Sequence, residues 1–254
     1  MKRLFKYRAV VAPGPLTLFR RELAAWYRRH GRDLPWRRTR DPYAILVSEV
    51  LLHQTQVRTV IPVYEAFLAR FPTLDALAGA PLAEVKAITD PLGYKVRGRW
   101  LWEIARAVTA RHGGRIPDSW EELLALPGVG RYTAGAVRSF AFGLRSPILD
   151  TNVERVLGRY FEVPALGPGG RGAERRHHLW ALAEAVLPEE GADQFNQALM
   201  DLGALICTAR KPACLLCPVA GGCARLGGGL RAAEPPALYR VEPAGDESGR
   251  LSGA

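Results

Sequence analysis

All four cysteines of the chain, Cys207, Cys214, Cys217 and Cys223, fall in one stretch as C-x6-C-x2-C-x5-C. Four thiolates so close together suit a metal or a cluster; a disulfide framework would spread its cysteines along the chain. Zinc and an iron–sulfur cluster both accept four sulfurs. Zinc ribbons usually pair two C-x2-C knuckles. Only one such pair exists here and the outer spacings are long, which favours an iron–sulfur cluster and leaves zinc as the alternative. Arg210 and Lys211, between the first two cysteines, form a basic loop of the kind that binds phosphate.

A second stretch, Leu126-Pro127-Gly128-Val129-Gly130-Arg131-Tyr132-Thr133-Ala134-Gly135-Ala136, reads as a helix, a glycine hairpin and a second helix. The free N–H groups at the start of that second helix make a preformed phosphate site. Glycine permits both a positive φ and close approach of a nucleic-acid backbone. Such a hairpin holds a duplex without reading its bases.

The elements that must carry these motifs are helical. Leu16, Phe19, Leu23 and Trp26 recur at helical spacing, Asp41-Pro42 looks like an N-cap with proline in the first turn, and Gly113-Gly114 ends a helix running back towards Arg99. Ser119 and Glu122 have capping-box spacing and open a short helix through Leu126. Phe195, Leu199, Leu202 and Ile206 stripe a helix that delivers the chain to Cys207. No sustained period-two strand pattern is visible, and glycine, proline and charge dominate from Leu226 onward, which predicts a flexible tail.

The chain has 254 residues, 48% of them hydrophobic, enough to bury a large core in one domain or two lobes. Its formal charge of +10 favours a polyanionic partner, although arginine accounts for most of it: the lysines are Lys2, Lys6, Lys86, Lys95 and Lys211. The N-terminal apolar run is too short for a signal peptide and ends at Pro13. No stretch approaches the roughly 20 apolar residues of a membrane span, so the expectation is an intracellular, cytoplasmic and nucleoid-associated protein with no membrane partner. The five histidines show no ligand spacing, and His177-His178 reads as a solvated face.

On the hairpin, the segment Ile148-Leu149-Asp150-Thr151-Asn152-Val153 and the cysteine spacing, the chain resembles the helix-hairpin-helix DNA glycosylases, the family of endonuclease III. Three further segments are similar to its MutY-type adenine glycosylases: Leu34-Pro35-Trp36-Arg37, Ser48-Glu49-Val50-Leu51-Leu52-His53-Gln54-Thr55-Gln56-Val57, and Phe195-Asn196-Gln197-Ala198-Leu199-Met200-Asp201-Leu202-Gly203. The resemblance covers about residues 16 to 224. It implies an all-α, two-lobed fold: a six-helix lobe over 43–147 with the hairpin, a lobe of 15–42 plus 148–224 carrying a [4Fe-4S] cluster, and residues 225–254 as tail. Substrate would sit between the lobes, and the protein would act on double-stranded DNA containing mismatched or oxidised bases, as a monomer.

The implied reaction needs two carboxyl groups in different states. Breaking an N-glycosidic bond leaves positive charge on the sugar and negative charge on a poor leaving group, so one carboxyl protonates the base while an ionised one faces the sugar. By resemblance Glu49 protonates adenine and Asp150 stabilises or traps the oxocarbenium-like centre. Glu49 lies in an apolar run, where burial would raise its pKa; an arginine partner such as Arg37 is the bland alternative. Asp150 could also be a helix N-cap. Strand-cutting relatives carry a lysine where Tyr132 stands, and a phenol cannot form their imine, so base release without strand cleavage is expected, with Tyr132 and Asn152 supporting the carboxylates.

Base extrusion leaves a gap in the stack. By resemblance Gln54 fills it and Tyr94 wedges beside the partner base. Gln197 would read adenine, Trp36, Arg37 and Leu52 would complete the pocket, and Gly128, Val129 and Gly130 would hold the backbone. The family's G-L-G-Y-Y and D-G-N-V appear here as Pro91-Leu92-Gly93-Tyr94-Lys95 and Asp150-Thr151-Asn152-Val153. MutY-type chains continue into a Nudix-like domain that helps recognise 8-oxoguanine; the present sequence is too short to hold one, and a weakened preference for that partner base is the expectation. A glycosylase for thymine or uracil opposite guanine is the second reading, and a catalytically silent DNA-binding module the third.

Overall fold

The computed structural model describes residues 6–163, 172–226 and 238–244. The chain divides into two compact units, Arg32–Ser146 and Met1–Gly31 with Pro147–Ala254.

The chain enters through a strand, β1 (Tyr7–Val11), and a helix, α1 (Pro13–His30), which buries Phe19, Leu23 and Trp26, three of the four positions of its apolar stripe. The first unit then runs through α2 (Pro42–Leu51), α3 (Val57–Arg70), α4 (Leu74–Gly79), α5 (Leu82–Thr89), α6 (Val96–His112), α7 (Trp120–Leu124) and α8 (Arg131–Phe140). Asp41 caps α2 as its spacing suggests, accepting from the Tyr43 N–H at 3.0 Å. Every residue from Tyr43 to Leu51 is buried, so α2 is the core of this unit, packed by α3, α6 and α8. The capping box holds: Ser119 accepts from the Glu122 N–H at 3.2 Å and donates to the Glu122 carboxylate at 2.6 Å.

The second unit adds α9 (Thr151–Tyr160), α10 (Gly172–Ala185), α11 (Ala192–Leu205) and a strand, β2 (Tyr239–Pro243). Helix α11 packs on α1 and α9, and three 3-10 turns over 214–226 carry the last cysteines. The fold is helical, as expected.

Two expectations need correction. β1 and β2 pair antiparallel, with Tyr7 opposite Pro243 and Val11 opposite Tyr239, so part of the segment expected to be a flexible tail is a strand. The rest of that expectation, over 227–237 and 245–254, lies outside the described residues. Strands of five residues are too short for a period-two pattern to emerge, and β1 is held by its packing on α10. That packing also corrects the histidines. Tyr7 lies edge-on to His178 at 4.8 Å and to His177 at 6.4 Å, and both rings are half-buried.

Candidate active site and metal centre

In the first unit the functional candidates cluster around the end of α2. Glu49, on the last full turn of that helix, is 3% exposed. Leu52 follows as the C-cap, half-buried, and the chain then turns sharply through His53, Gln54 and Thr55. Gln54 is exposed and has φ 54°, a left-handed conformation that few non-glycine residues adopt. Trp36, on a 3-10 turn, is buried edge-on to Tyr64 at 5.4 Å, and the Arg37 guanidinium donates to the Arg32 carbonyl at 3.1 Å.

The hairpin between α7 and α8 takes the predicted form. Gly128 has φ 71°, and a Cβ there would run into the Trp100 ring, so glycine is required twice over. Val129 is buried and Gly130 is the exposed N-cap of α8, offering no side chain to that helix's first N–H groups. Tyr132 stands half-buried in the first turn of α8. Tyr94 is half-buried before α6, after Gly93 at φ 95°.

In the second unit Asp150 is the N-cap of α9. One carboxylate oxygen accepts from the Val153 N–H at 2.7 Å and the other from the Asn152 amide at 2.9 Å. Burial pushes the Asp150 carboxyl above its ordinary value, while those bonds and, more weakly, the Arg155 charge act to lower it. Gln197, half-buried on α11, accepts at its side-chain oxygen from the Tyr27 hydroxyl at 2.5 Å. Gly203 on α11 leaves no room for a side chain: a Cβ would lie 2.6 Å from that of Asn152.

The four cysteines are reduced and half-buried, and they feel one another: burial first, then Cys207, Cys223 and Cys214, push the Cys217 thiol up to about 11. Thiolates held together this way need a compensating positive centre. Arg159 supplies part of it, donating to the Cys207 sulfur at 3.4 Å and to the Thr208 carbonyl at 2.8 Å. No group of three or more His, Cys, Asp or Glu among the described residues is arranged to hold a single metal ion. Four half-buried cysteines that perturb one another, with a guanidinium against the first sulfur, are a donor set that fits an iron–sulfur cluster. Cys207, Cys214, Cys217 and Cys223 would ligate the [4Fe-4S] cluster, whose core would compensate the four half-buried thiolates and tie the loop to one rigid anchor. Arg210 and Lys211 are exposed on its first loop.

Several residues that contact the candidates were not visible in sequence: Tyr27 beside Gln197, Arg155 and Arg159 against the cluster loop, and Arg97 beside the Gln54 turn. For Arg155 a signal existed, since it lies one helical turn beyond Asn152 on α9. The others depend on contacts far apart in the chain.

A buried acidic residue at the end of a core helix, a glycine hairpin opening a helix, a capping aspartate and a four-cysteine loop are the features that the resemblance to helix-hairpin-helix base-excision proteins implies. Comparison with known families agrees. The chain belongs to the HhH-GPD superfamily of base excision DNA repair proteins, whose model matches residues 47–181, and residues 207–223 match the iron–sulfur binding domain of endonuclease III. It is 46% identical over 217 residues to an adenine DNA glycosylase of Homo sapiens, covering 82% of this chain and 39% of that one. It is 44% identical over 214 residues to a thymine-DNA glycosylase of Aeropyrum pernix, covering 81% of this chain and 93% of that one. The present chain spans between 39% and 58% of the first four adenine glycosylases it matches. Among solved structures it is similar to a thermostable thymine-DNA glycosylase, with a TM-score of 0.76 at 33% identity over 84% of this chain and 97% of that one. The endonuclease III of a trapped DNA intermediate shares the fold, with a TM-score of 0.72 at 23% identity over 87% of this chain and 100% of that one.

Among the described residues no helix is long and apolar enough to cross a membrane.

Proposed function

We propose that the protein is a monofunctional DNA glycosylase that hydrolyses the N-glycosidic bond of adenine mispaired with 8-oxoguanine or guanine, acting as a monomer on duplex DNA. The observation that carries the adenine assignment is the bond from the Tyr27 hydroxyl to the Gln197 side-chain oxygen. With that oxygen engaged, Gln197 presents its amide N–H groups, donors suited to the ring-nitrogen acceptors along an adenine edge.

In this reading Glu49 carries the proton that passes to a ring nitrogen of the extruded adenine. The glycosidic electron pair leaves with the base, and the ionised Asp150 carboxylate faces the sugar until water adds. Asn152 holds one Asp150 oxygen, which orients the other. Tyr132, where strand-cutting relatives have lysine, leaves the product an abasic site. Trp36, Arg37 and Leu52 line the base pocket, Gln54 fills the gap in the stack, and Tyr94 wedges beside the partner base. Gly128, Val129 and Gly130 present the N–H groups of α8 to a backbone phosphate.

A second reading, removal of thymine or uracil opposite guanine, is supported by the near-complete coverage of the Aeropyrum pernix thymine-DNA glycosylase. Single-turnover base release from duplexes bearing A:8-oxoguanine, A:G, T:G or U:G, with and without alkali, separates the two. Adenine release with strand breaks only after alkali is the expected result. Release of thymine or uracil alone would replace the first reading with the second.

A further inference from the structure

Among the described residues Arg97 is one of the largest side chains to be completely buried, at 0% exposure. Among the described residues no carboxylate pairs with it, and its Nε and Nη1 have no hydrogen-bond partner. A guanidinium left in that state is expensive, so its two remaining bonds deserve a reason. Both come from Nη2, to the His53 carbonyl at 2.6 Å and to the Thr55 hydroxyl at 2.8 Å. They bracket Gln54, whose left-handed φ of 54° persists only where its surroundings hold it.

The same guanidinium lies 5.7 Å from the centre of the Tyr94 ring. Trp100, one turn further along α6, stands edge-on to Tyr94 at 5.7 Å and to His53 at 6.0 Å. Trp100 also fills the space against Gly128 of the hairpin, and His53 reaches the Thr133 hydroxyl of α8 at 3.3 Å. Arg97 and Trp100 on α6 therefore touch the Gln54 turn, Tyr94 and the hairpin together.

We propose that Arg97 is a positioning residue that locks the Gln54 turn and Tyr94 into a single preformed wedge. It makes opening of the base stack one concerted event, with no further ordering of the loop when DNA arrives. The proposal rests on the reading that Gln54 and Tyr94 enter the duplex. Arginine suits the place because Nη2 alone reaches both acceptors while the guanidinium carbon stands over the Tyr94 ring; a lysine ammonium is a point charge on a shorter stem and lacks that planar group. A wedge ordered in advance spends less of its binding free energy on closing the loop.

The test compares wild type with Arg97→Lys, Thr55→Val and Gln54→Ala on two substrates. One is the intact mismatched duplex that the protein processes fastest; in the other the same target base is already unstacked opposite an abasic-site analogue. On the intact duplex Arg97→Lys is expected to slow single-turnover release about tenfold or more, and Thr55→Val, which removes one acceptor and leaves the core intact, about threefold. On the pre-opened duplex both should return to within about twofold of wild type, because extrusion no longer limits. Fluorescence of 2-aminopurine placed at the target should show slower extrusion in both variants.

Equal losses on the two substrates would make Arg97 a merely structural residue and overturn the proposal. So would wild-type rates for Thr55→Val and Arg97→Lys while Gln54→Ala is impaired. If Gln54→Ala itself behaves as wild type on the intact duplex, the insertion reading is what has failed.

Discussion

Arg155 Nη2 donates to the side-chain oxygen of Asn152 at 2.7 Å, while its Nε donates to the Cys207 backbone carbonyl at 2.7 Å. Asn152 in turn donates to the Asp150 carboxylate at 2.9 Å. An unbroken series of hydrogen bonds therefore runs from the first cysteine of the cluster loop to the cap of α9. Arg155 is fixed further by the Gly203 carbonyl at 2.6 Å. Charge-assisted bonds of this kind are roughly twice as strong as neutral ones, so the Asp150 carboxylate is held from the cluster side.

Replacing Arg155 by leucine should release Asn152 and lower the single-turnover rate about tenfold with little change in duplex affinity. The acid limb of the rate profile should also move to higher pH, since Arg155 is among the groups that lower the Asp150 pKa. A rate profile superimposable on wild type would mean that the series carries no functional weight.

Asp150 itself links pH to stability. Its carboxyl is raised above the ordinary value, chiefly by burial. A raised acid contributes stability below its unfolded pKa and loses it as pH rises through the folded value, so at pH 7 the ionised group is a net cost to the fold. Asp150→Asn keeps an oxygen for the Val153 N–H without the charge. Its thermal midpoint at pH 7 should exceed that of wild type, by roughly 2–4 °C per kcal/mol gained. The difference should narrow as the solution is acidified towards about pH 4, and base release should be lost. A lower midpoint at neutral pH would show that the hydrogen bonds to the carboxylate outweigh its burial.

Glu49→Gln should retain duplex binding and lose base excision by about 10²–10⁴-fold, the usual weight of a general acid. Filter binding beside single-turnover kinetics separates the two, and retained turnover would remove Glu49 from the mechanism.

Tyr27→Phe deletes one hydrogen bond, at 2.5 Å, and should free the Gln197 amide to rotate. A loss of about 1 kcal/mol corresponds to roughly a fivefold slower adenine release. Thymine or uracil release, if present, should be unaffected or increased. Equal slowing on every substrate would assign Tyr27 to packing of α1 on α11.

The purified protein should be yellow-brown, and substitution of Cys217 by serine should bleach it and lower the thermal midpoint, because the loop over 207–223 loses its common anchor. A colourless wild-type protein with one zinc per chain would overturn the cluster assignment.

Much of this was legible in the sequence because it is local. The N-cap at Asp41, the capping box of Ser119 and Glu122, the positive φ of Gly128 and the cysteine spacing each depend on residues a few positions apart, where backbone sterics and ligand chemistry act directly. Asp150 as a cap was legible for the same reason. Tertiary structure alone decided the rest. A charged residue on a helix reads as surface, and only folding shows Arg97 to be fully buried beside the Gln54 turn. Tyr27 and Gln197 are 170 positions apart, and β1 meets β2 from opposite ends of the chain. Such pairings are selected by packing, which periodicity within a segment cannot encode.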